Sequence, residues 1–178
     1  MNELKVDNLC VLNGNGLESL GPTEDLVCLA GNILTLDEWF ALLSKSDFFV
    51  AAPGTVMPFS HNIVEAMSVG CIPITEYGDF FTPPLVDQAA HLAYRGKADA
   101  VRVIREAIDL DQARISAMRE TVLAYYDAHL DPESVIQSLY SARERLSKVY
   151  LIAGHNSVAH LRDNSNRTAR LEENRESL

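Results

Sequence analysis

The chain has 178 residues, of which 47% are hydrophobic and 22% are charged. This composition supports one ordinary domain with a sizeable core and excludes wholesale disorder. The formal net charge of -10 argues against electrostatic capture of nucleic acid or of an anionic membrane, because both are negatively charged. A phosphate ligand would therefore depend on local backbone N–H groups or on a few well-placed cations.

Cysteine usage and the N-terminal segment indicate the compartment. Cys10, Cys28 and Cys71 are far apart, and each lies in an apolar run, so we expect buried, reduced thiols rather than a disulfide framework or a metal site. The N-terminus, MNELKVDN, is polar and charged, unlike a signal peptide, and no apolar run approaches the length of a membrane span. We therefore expect a cytoplasmic protein with no membrane span and no bound metal.

Four apolar runs in the first half of the chain predict β-strands. Residues 8–14 and 26–31 have the composition of buried strands that end in glycine-containing loops. Residues 48–54, FFVAAPG, form a continuous apolar run of the kind found in central parallel strands. Residues 71–77, CIPITEY, predict the next strand.

Helical patterns separate these runs. Thr35 precedes Glu38 by three residues, the spacing of a capping box, and predicts the start of a helix. A second helix is predicted over 61–69, directly after the Pro-Gly loop. In the first of these helices, one face carries Leu36, Trp39, Phe40 and Leu43.

The pattern turns helical after about residue 97. Asp131 is a natural N-cap, and Pro132 follows it at the first helical position. The segment 151–178 is polar and predicts a tail that is partly helical or disordered. Two further helices are predicted from the apolar positions Val101, Ile104 and Ile108 and from Ile115, Met118 and Val122.

This order of elements predicts an α/β fold with a Rossmann-like parallel sheet flanked by helices and a helical C-terminal part. Residues 1–150 would form the domain and residues 151–178 the tail. In such folds ligands bind beyond the carboxyl ends of the strands, and the loop that leads from Pro53 to Ser60 occupies such a place.

The junction at Ser60 has the features of an anion site. A helix N-terminus presents unpaired backbone N–H groups, and Ser60 is a natural N-cap. His61 and Asn62 lie in the first turn, where their side chains can add further donors. The alternative is that Ser60 only caps the helix and that His61 and Asn62 are solvated.

Glu65 is the only acidic residue of this helix, and the residues around it, Ile63, Val64, Ala66, Met67 and Val69, are apolar, which indicates a largely buried helix. A carboxylate here suits vicinal ribose hydroxyls, from which it can accept hydrogen bonds, whereas the alternative is an ordinary surface glutamate. A buried carboxylate needs partners, and residues 56–76 contain neither arginine nor lysine. The sequence therefore favours a ligand as the partner of Glu65, unless a cation from elsewhere in the chain pairs with it.

The run FFVAAPGTVMPFSHNIVEAMSVGCIPITEY, residues 48–77, resembles the donor-binding C-terminal domain of GT-B glycosyltransferases. Within it, VEAMSVGCIPI is also similar to the exostosin-like branch. The preceding LVCLAGNILTLDEWFALLSKSDFFVA resembles a strand, turn and helix of the same domain, and the helical stretch from about 97 to 147 resembles its closing helices. The resemblance therefore covers about residues 8–147. It implies a nucleotide-diphosphate sugar as substrate, with no cofactor and no metal.

The resemblance also implies roles for particular residues. Glu65 falls where the glutamate of the family holds the ribose of the nucleotide. His61 is the one residue with a conceivable catalytic role, although a contact to phosphate or sugar fits it better. The other implied contacts are Ser60, His61 and Asn62 to the diphosphate or sugar, Asn32 and Ile33 to the base, and Pro53, Gly54 and Thr55 in the floor of the loop.

The chain departs from the family pattern in two respects. Many retaining members carry an acid eight residues before the ribose glutamate, but Met57 stands there in this sequence. The strand at 8–14 resembles the second strand of the domain, so the first strand–helix unit, with its usual cations, would be missing. Arg95 is the best remaining cation for the diphosphate, although a surface arginine is the safer interpretation; His91 is expected to be structural or solvated.

Three functions remain open at this point. The leading hypothesis is a glycosyltransferase donor domain that acts with an acceptor-binding domain or partner subunit absent from this chain, and that is inactive alone. A second is a non-catalytic nucleotide- or sugar-binding module, an interaction module with a degenerate glycosyltransferase fold. A third is an unrelated doubly wound protein such as a sugar-phosphate binder. The sequence has no G-x-G-x-x-G or P-loop pattern, which argues against a dinucleotide enzyme or an NTPase.

Overall fold

The computed structural model describes residues 34–52 and 60–141 in full, together with the backbone of residues 9–12 and 27–30. Within these ranges the chain forms an α/β structure with two parallel sheets and five helices. The predicted tail at 151–178 lies outside the described residues.

All of the described strands are parallel to their neighbours. Strand β1, Leu9–Leu12, pairs with β2, Val27–Ala30. The other sheet has the order β3-β4-β5, with β3 at Phe48–Val50, β4 at Ile72–Thr75 and β5 at Leu92–Ala93. Every residue of the central strand β4 is buried, as expected for a parallel strand that is covered on both faces.

The four strands predicted from apolar runs are confirmed, although each is shorter than predicted. For example, β3 was predicted over 48–54 but ends at Val50. One further backbone hydrogen bond follows it, from the Ala51 N–H to the Ile74 carbonyl at 3.0 Å. Strand β5 was not predicted, because two residues are too few to show a period.

Helix α1, Leu36–Lys45, begins with the predicted capping box. The Thr35 hydroxyl accepts from the Glu38 N–H at 3.4 Å, and the Glu38 carboxylate accepts from the Thr35 N–H at 2.8 Å. The predicted apolar face is only partly correct. Leu43 is buried, whereas Leu36 is 65% exposed because it lies at the start of the helix, away from the core.

Helix α2, His61–Ser68, runs back toward the amino ends of the strands. It ends at Ser68, and two residues later Gly70 has a φ of 76°, the left-handed conformation that favours glycine after a helix. The Cys71 N–H then donates to the Ala66 carbonyl at 3.0 Å, and β4 begins at the next residue. Eight helical residues span about 12 Å, close to the length of β4, so the first turn of α2 lies near the level of the carboxyl ends.

Three consecutive helices follow β5. They are α3, Gly96–Ile108, α4, Gln112–His129, and α5, Pro132–Ser141. The predicted N-cap of α5 is confirmed, since the Asp131 carboxylate accepts from the Ser134 N–H at 3.0 Å.

The main hydrophobic core joins α2, α3 and α4 to the three-stranded sheet. The predicted buried face of α4 is confirmed. The predicted face of α3 is wrong in detail, since the buried residues of this helix are Val103 and Ala107. The small side chain of Ala107 allows this side of the helix to pack closely against the core. The residues predicted to be buried in α3 are only half-buried: Val101, Ile104 and Ile108. The residues predicted to be buried in α4 are buried: Ile115, Met118 and Val122.

Candidate functional site

The carboxyl ends of three parallel strands meet at one edge of the sheet. Ala51 and Ala52 follow β3, Glu76 follows β4, and Tyr94 and Arg95 follow β5. The first turn of α2 lies near the level of this edge. These groups therefore form the candidate site, because ligands of parallel α/β sheets bind where the strands end.

The predicted N-cap at Ser60 is confirmed. Its hydroxyl oxygen accepts from the Asn62 N–H at 3.2 Å, and its carbonyl accepts from the Ile63 N–H at 3.3 Å. Two of the first N–H groups of α2 are thus already occupied by the cap. This leaves less capacity for an anion than an uncapped helix end would have.

The side chains that follow the cap differ in exposure. His61 is exposed and Asn62 is half-buried. Within the described part of the chain, neither side chain makes a hydrogen bond.

Glu65 is held by a group that the sequence did not suggest. Its Oε2 accepts a hydrogen bond from the indole Nε1–H of Trp39 at 2.7 Å, and both side chains are partly buried. The expectation that only a cation or a ligand would pair with Glu65 was wrong, because a neutral indole donor satisfies one carboxylate oxygen. Among the described residues no donor to the other oxygen, Oε1, is found.

Tyr94 is a buried residue at the carboxyl end of β5. It is 8% exposed, and its hydroxyl donates a long hydrogen bond of 3.5 Å to the Ala51 carbonyl. Burial raises the pKa of the Tyr94 hydroxyl, and the nearby Glu76 carboxylate and Tyr77 raise it further. The hydroxyl is therefore a neutral donor at physiological pH, next to a carboxylate that can accept hydrogen bonds.

Arg95 reaches the same edge one residue beyond Tyr94. Its side chain is exposed, and its backbone N–H donates to the Asp99 carboxylate at 2.7 Å. Asp99 itself forms an ion pair with Arg102 at 2.7 Å. Arg95 thus remains the predicted cation nearest to the end of β5, as the sequence suggested.

Several predicted contacts lie outside the described residues. These are Asn32 and Ile33, expected at the base, and Gly54 and Thr55, expected in the floor of the loop. The positions Pro53 and Met57 lie in the same undescribed loop.

His91 is structural rather than solvated. It is 3% exposed, and no hydrogen-bond partner of its Nδ1 is found among the residues that the structure describes. Burial lowers the pKa of the His91 imidazole, while the Asp87 and Asp79 carboxylates and the Val86 backbone act in the opposite direction. The ring is therefore favoured in its neutral form in the folded protein.

We expect the lowered pKa of His91 to make stability depend on pH. The unfolded chain binds a proton at this histidine near pH 6.5, more readily than the folded chain does. The contribution to stability is therefore fully present above about pH 6.5 and decreases as the pH falls toward the folded-state pKa. Urea unfolding between about pH 7.5 and 5.5 should show the decline in wild type and less of it in His91→Asn. The exposed-site control His61→Asn should retain it, and an equal decline in both variants would contradict this role of His91.

Cys71 is a buried free thiol, as predicted. Burial raises its pKa to about 12, against a smaller opposite effect of Arg119, while Asp47 raises it further. Among the described residues no group of histidine, cysteine, aspartate and glutamate side chains is arranged to hold a metal ion. In the same part of the chain no helix has both the length and the apolar character to cross a membrane.

Comparisons of the chain with models of protein families, with curated proteins and with solved structures yield no match.

Sequence reasoning missed two residues of this edge and the hydrogen-bond partner of Glu65. Glu76 and Tyr94 follow apolar strands directly, and that position alone is a signal, since strand ends carry the ligand-binding groups of such sheets. Trp39 gave no comparable signal. Its position on the apolar face of α1 predicted only a contact with the hydrophobic core. Its contact to Glu65 depends on how α1 and α2 pack together.

Proposed function

We propose that this chain is the donor-binding part of a GT-B glycosyltransferase. It would bind a nucleotide-diphosphate sugar as substrate, with no further cofactor, and act in the cytoplasm with an acceptor-binding domain or partner subunit outside this chain. The finer fold that we propose is a Rossmann-like sheet flanked by helices, with a helical C-terminal part. The parallel order β3-β4-β5 and the succession of α3, α4 and α5 support it.

The observation that carries the proposal is the state of the Glu65 carboxylate. One oxygen is fixed by Trp39 at 2.7 Å, and the other has no donor among the described residues. A half-buried carboxylate with one open oxygen, one turn inside a helix that starts near the carboxyl edge, suits the hydroxyls of a ribose. Hydrogen bonds to charged groups contribute about 1.5–3 kcal/mol each, which is enough to select a ligand.

Other groups at the edge support the same function. Transfer of a sugar from a nucleotide diphosphate develops negative charge on the leaving group, and donors or cations must stabilise that charge. Arg95 and the side chains of His61 and Asn62 are exposed or half-buried near this edge and can supply such donors. We assign these residues a role in binding and no role in catalysis.

We expect Glu65→Ala to weaken nucleotide binding by about ten- to a hundredfold, the equivalent of one lost charged hydrogen bond. The measurement is calorimetric titration of the full chain with UDP, GDP and ADP. Glu120→Ala is a matched control, because Glu120 is an exposed glutamate on α4 and should leave the affinity unchanged. If the folded wild-type chain binds none of the three nucleotides, the proposed donor site is wrong for this chain.

One observation favours the second function, a non-catalytic nucleotide- or sugar-binding module. The internal bond from Trp39 gives Glu65 a structural role even without a ligand, and the Ser60 cap occupies two N–H groups of α2. A module of this kind would bind nucleotide sugars without cleaving them, even when the acceptor-side partner is present. Release of free nucleotide from the sugar donor distinguishes the two functions.

A further inference from the structure

Trp39 is the single tryptophan of the chain, and its position links three elements. Its indole N–H bonds to Glu65 of α2 across 26 residues of sequence, at 2.7 Å. Its ring contacts Phe49 of β3 edge-on, with the ring centroids 5.8 Å apart and the planes at 82°. Phe49 therefore packs against the indole from the sheet, while the indole N–H points at the Glu65 carboxylate.

This arrangement limits the freedom of the Glu65 side chain. A glutamate has several rotatable bonds, and holding it in one conformation costs conformational entropy unless a partner already fixes it. The indole has a single N–H donor, so it bonds to one carboxylate oxygen and leaves the other able to accept from a ligand hydroxyl. The result is a carboxylate that is oriented before any ligand arrives.

We propose that Trp39 is a positioning residue of the nucleotide site, which holds Glu65 so that Oε1 accepts a hydrogen bond from a ribose hydroxyl. This inference rests on the proposed function. It deepens that function by assigning the preorganisation of the site to one indole donor. It also makes the emission of Trp39 a direct reporter of events at Glu65, because no other tryptophan contributes to it.

The test is a double-mutant cycle on the affinity of the full chain for UDP, GDP and ADP. Trp39→Phe retains an aromatic ring against Phe49 but removes the five-membered ring of the indole together with its N–H donor, so the cycle is needed to separate the donor from the lost packing. We expect it to weaken binding about fivefold, because a Glu65 side chain that is no longer held must be ordered when the ligand binds, at a cost of about 1 kcal/mol. In the Glu65→Ala background the same change should have no effect, because Trp39 acts through Glu65.

The outcomes separate this inference from the function on which it rests. Wild-type chain that binds no nucleotide overturns the proposed function and the inference with it. Binding that depends on Glu65 but is unchanged in Trp39→Phe overturns only the inference. So does a fivefold loss that persists in the Glu65→Ala background, since a merely structural role of Trp39 would be additive.

A measurement on wild type avoids any folding defect of the variants. We expect saturation with the nucleotide that binds to shift the emission maximum of Trp39, because a hydroxyl at Oε1 changes the charge that the indole experiences. Calorimetric binding without a change in emission would overturn the inference.

Discussion

Leu43→Ala is expected to lower the free energy of unfolding by about 2–5 kcal/mol, the range for leucine removed from a packed core. Leu43 is 2% exposed, and it packs with Ala66 of α2 and with Cys71 before β4. The cluster also includes the partly buried Trp39, so the same substitution loosens the contact on which Glu65 depends. Chemical unfolding followed by circular dichroism measures the change.

The same helix provides the matched control for this prediction. Leu36 is 65% exposed at the start of α1, and Leu36→Ala should change the free energy of unfolding by less than about 0.5 kcal/mol. Equal effects of the two substitutions would show that α1 does not pack on α2 through Leu43.

Gly78→Ala is expected to destabilise the fold by about 2–3 kcal/mol through overpacking. Gly78 begins the 3-10 turn Gly78–Phe80, and a Cβ at this position would lie 2.4 Å from Nε2 of His91. The imidazole is 3% exposed and cannot move into solvent without opening the core. The measurement is again the midpoint and slope of chemical unfolding.

Removal of the imidazole should relieve this clash. In a His91→Ala background, Gly78→Ala should cost markedly less than it does in wild type, because the added methyl group then enters the space left by the ring. Strictly additive effects of the two substitutions would mean that the turn and the imidazole do not contact each other in solution.

Local signals in the sequence predicted most of the described elements. The capping box at Thr35 and the Asp131-Pro132 pair define helix starts through interactions within a few residues, so that short-range chemistry was sufficient. The apolar runs located the parallel strands for the same reason. Strand β5 was missed because its two residues acquire their strand geometry only by pairing with β4.

The candidate site was less accessible to such reasoning. Ser60 was recognised because capping is local, whereas the bond from Trp39 to Glu65 connects two residues that are 26 apart in sequence and lie on different helices. A cation or a ligand was expected as the partner of the carboxylate. The actual partner is a neutral donor that reaches Glu65 only after α1 and α2 have packed together.

The two oxygens of Glu65 have separate roles at this edge. Its Oε2 contributes to the packing of α1 against α2, and we propose that its Oε1 binds a ribose hydroxyl. The two roles predict different consequences of substitution, since the first affects the free energy of unfolding and the second affects affinity. Glu65→Gln retains an oxygen acceptor for the indole while it removes the charge, and so weakens the second role more than the first.

The most direct test of the ribose-binding claim compares a ribonucleoside diphosphate with its 2′,3′-dideoxy analogue on wild-type and Glu65→Ala chains. If Glu65 binds the ribose hydroxyls, wild type should prefer the ribonucleotide by about ten- to a hundredfold, and Glu65→Ala should bind both equally. The same preference in both chains, or no preference in wild type, would contradict the claim.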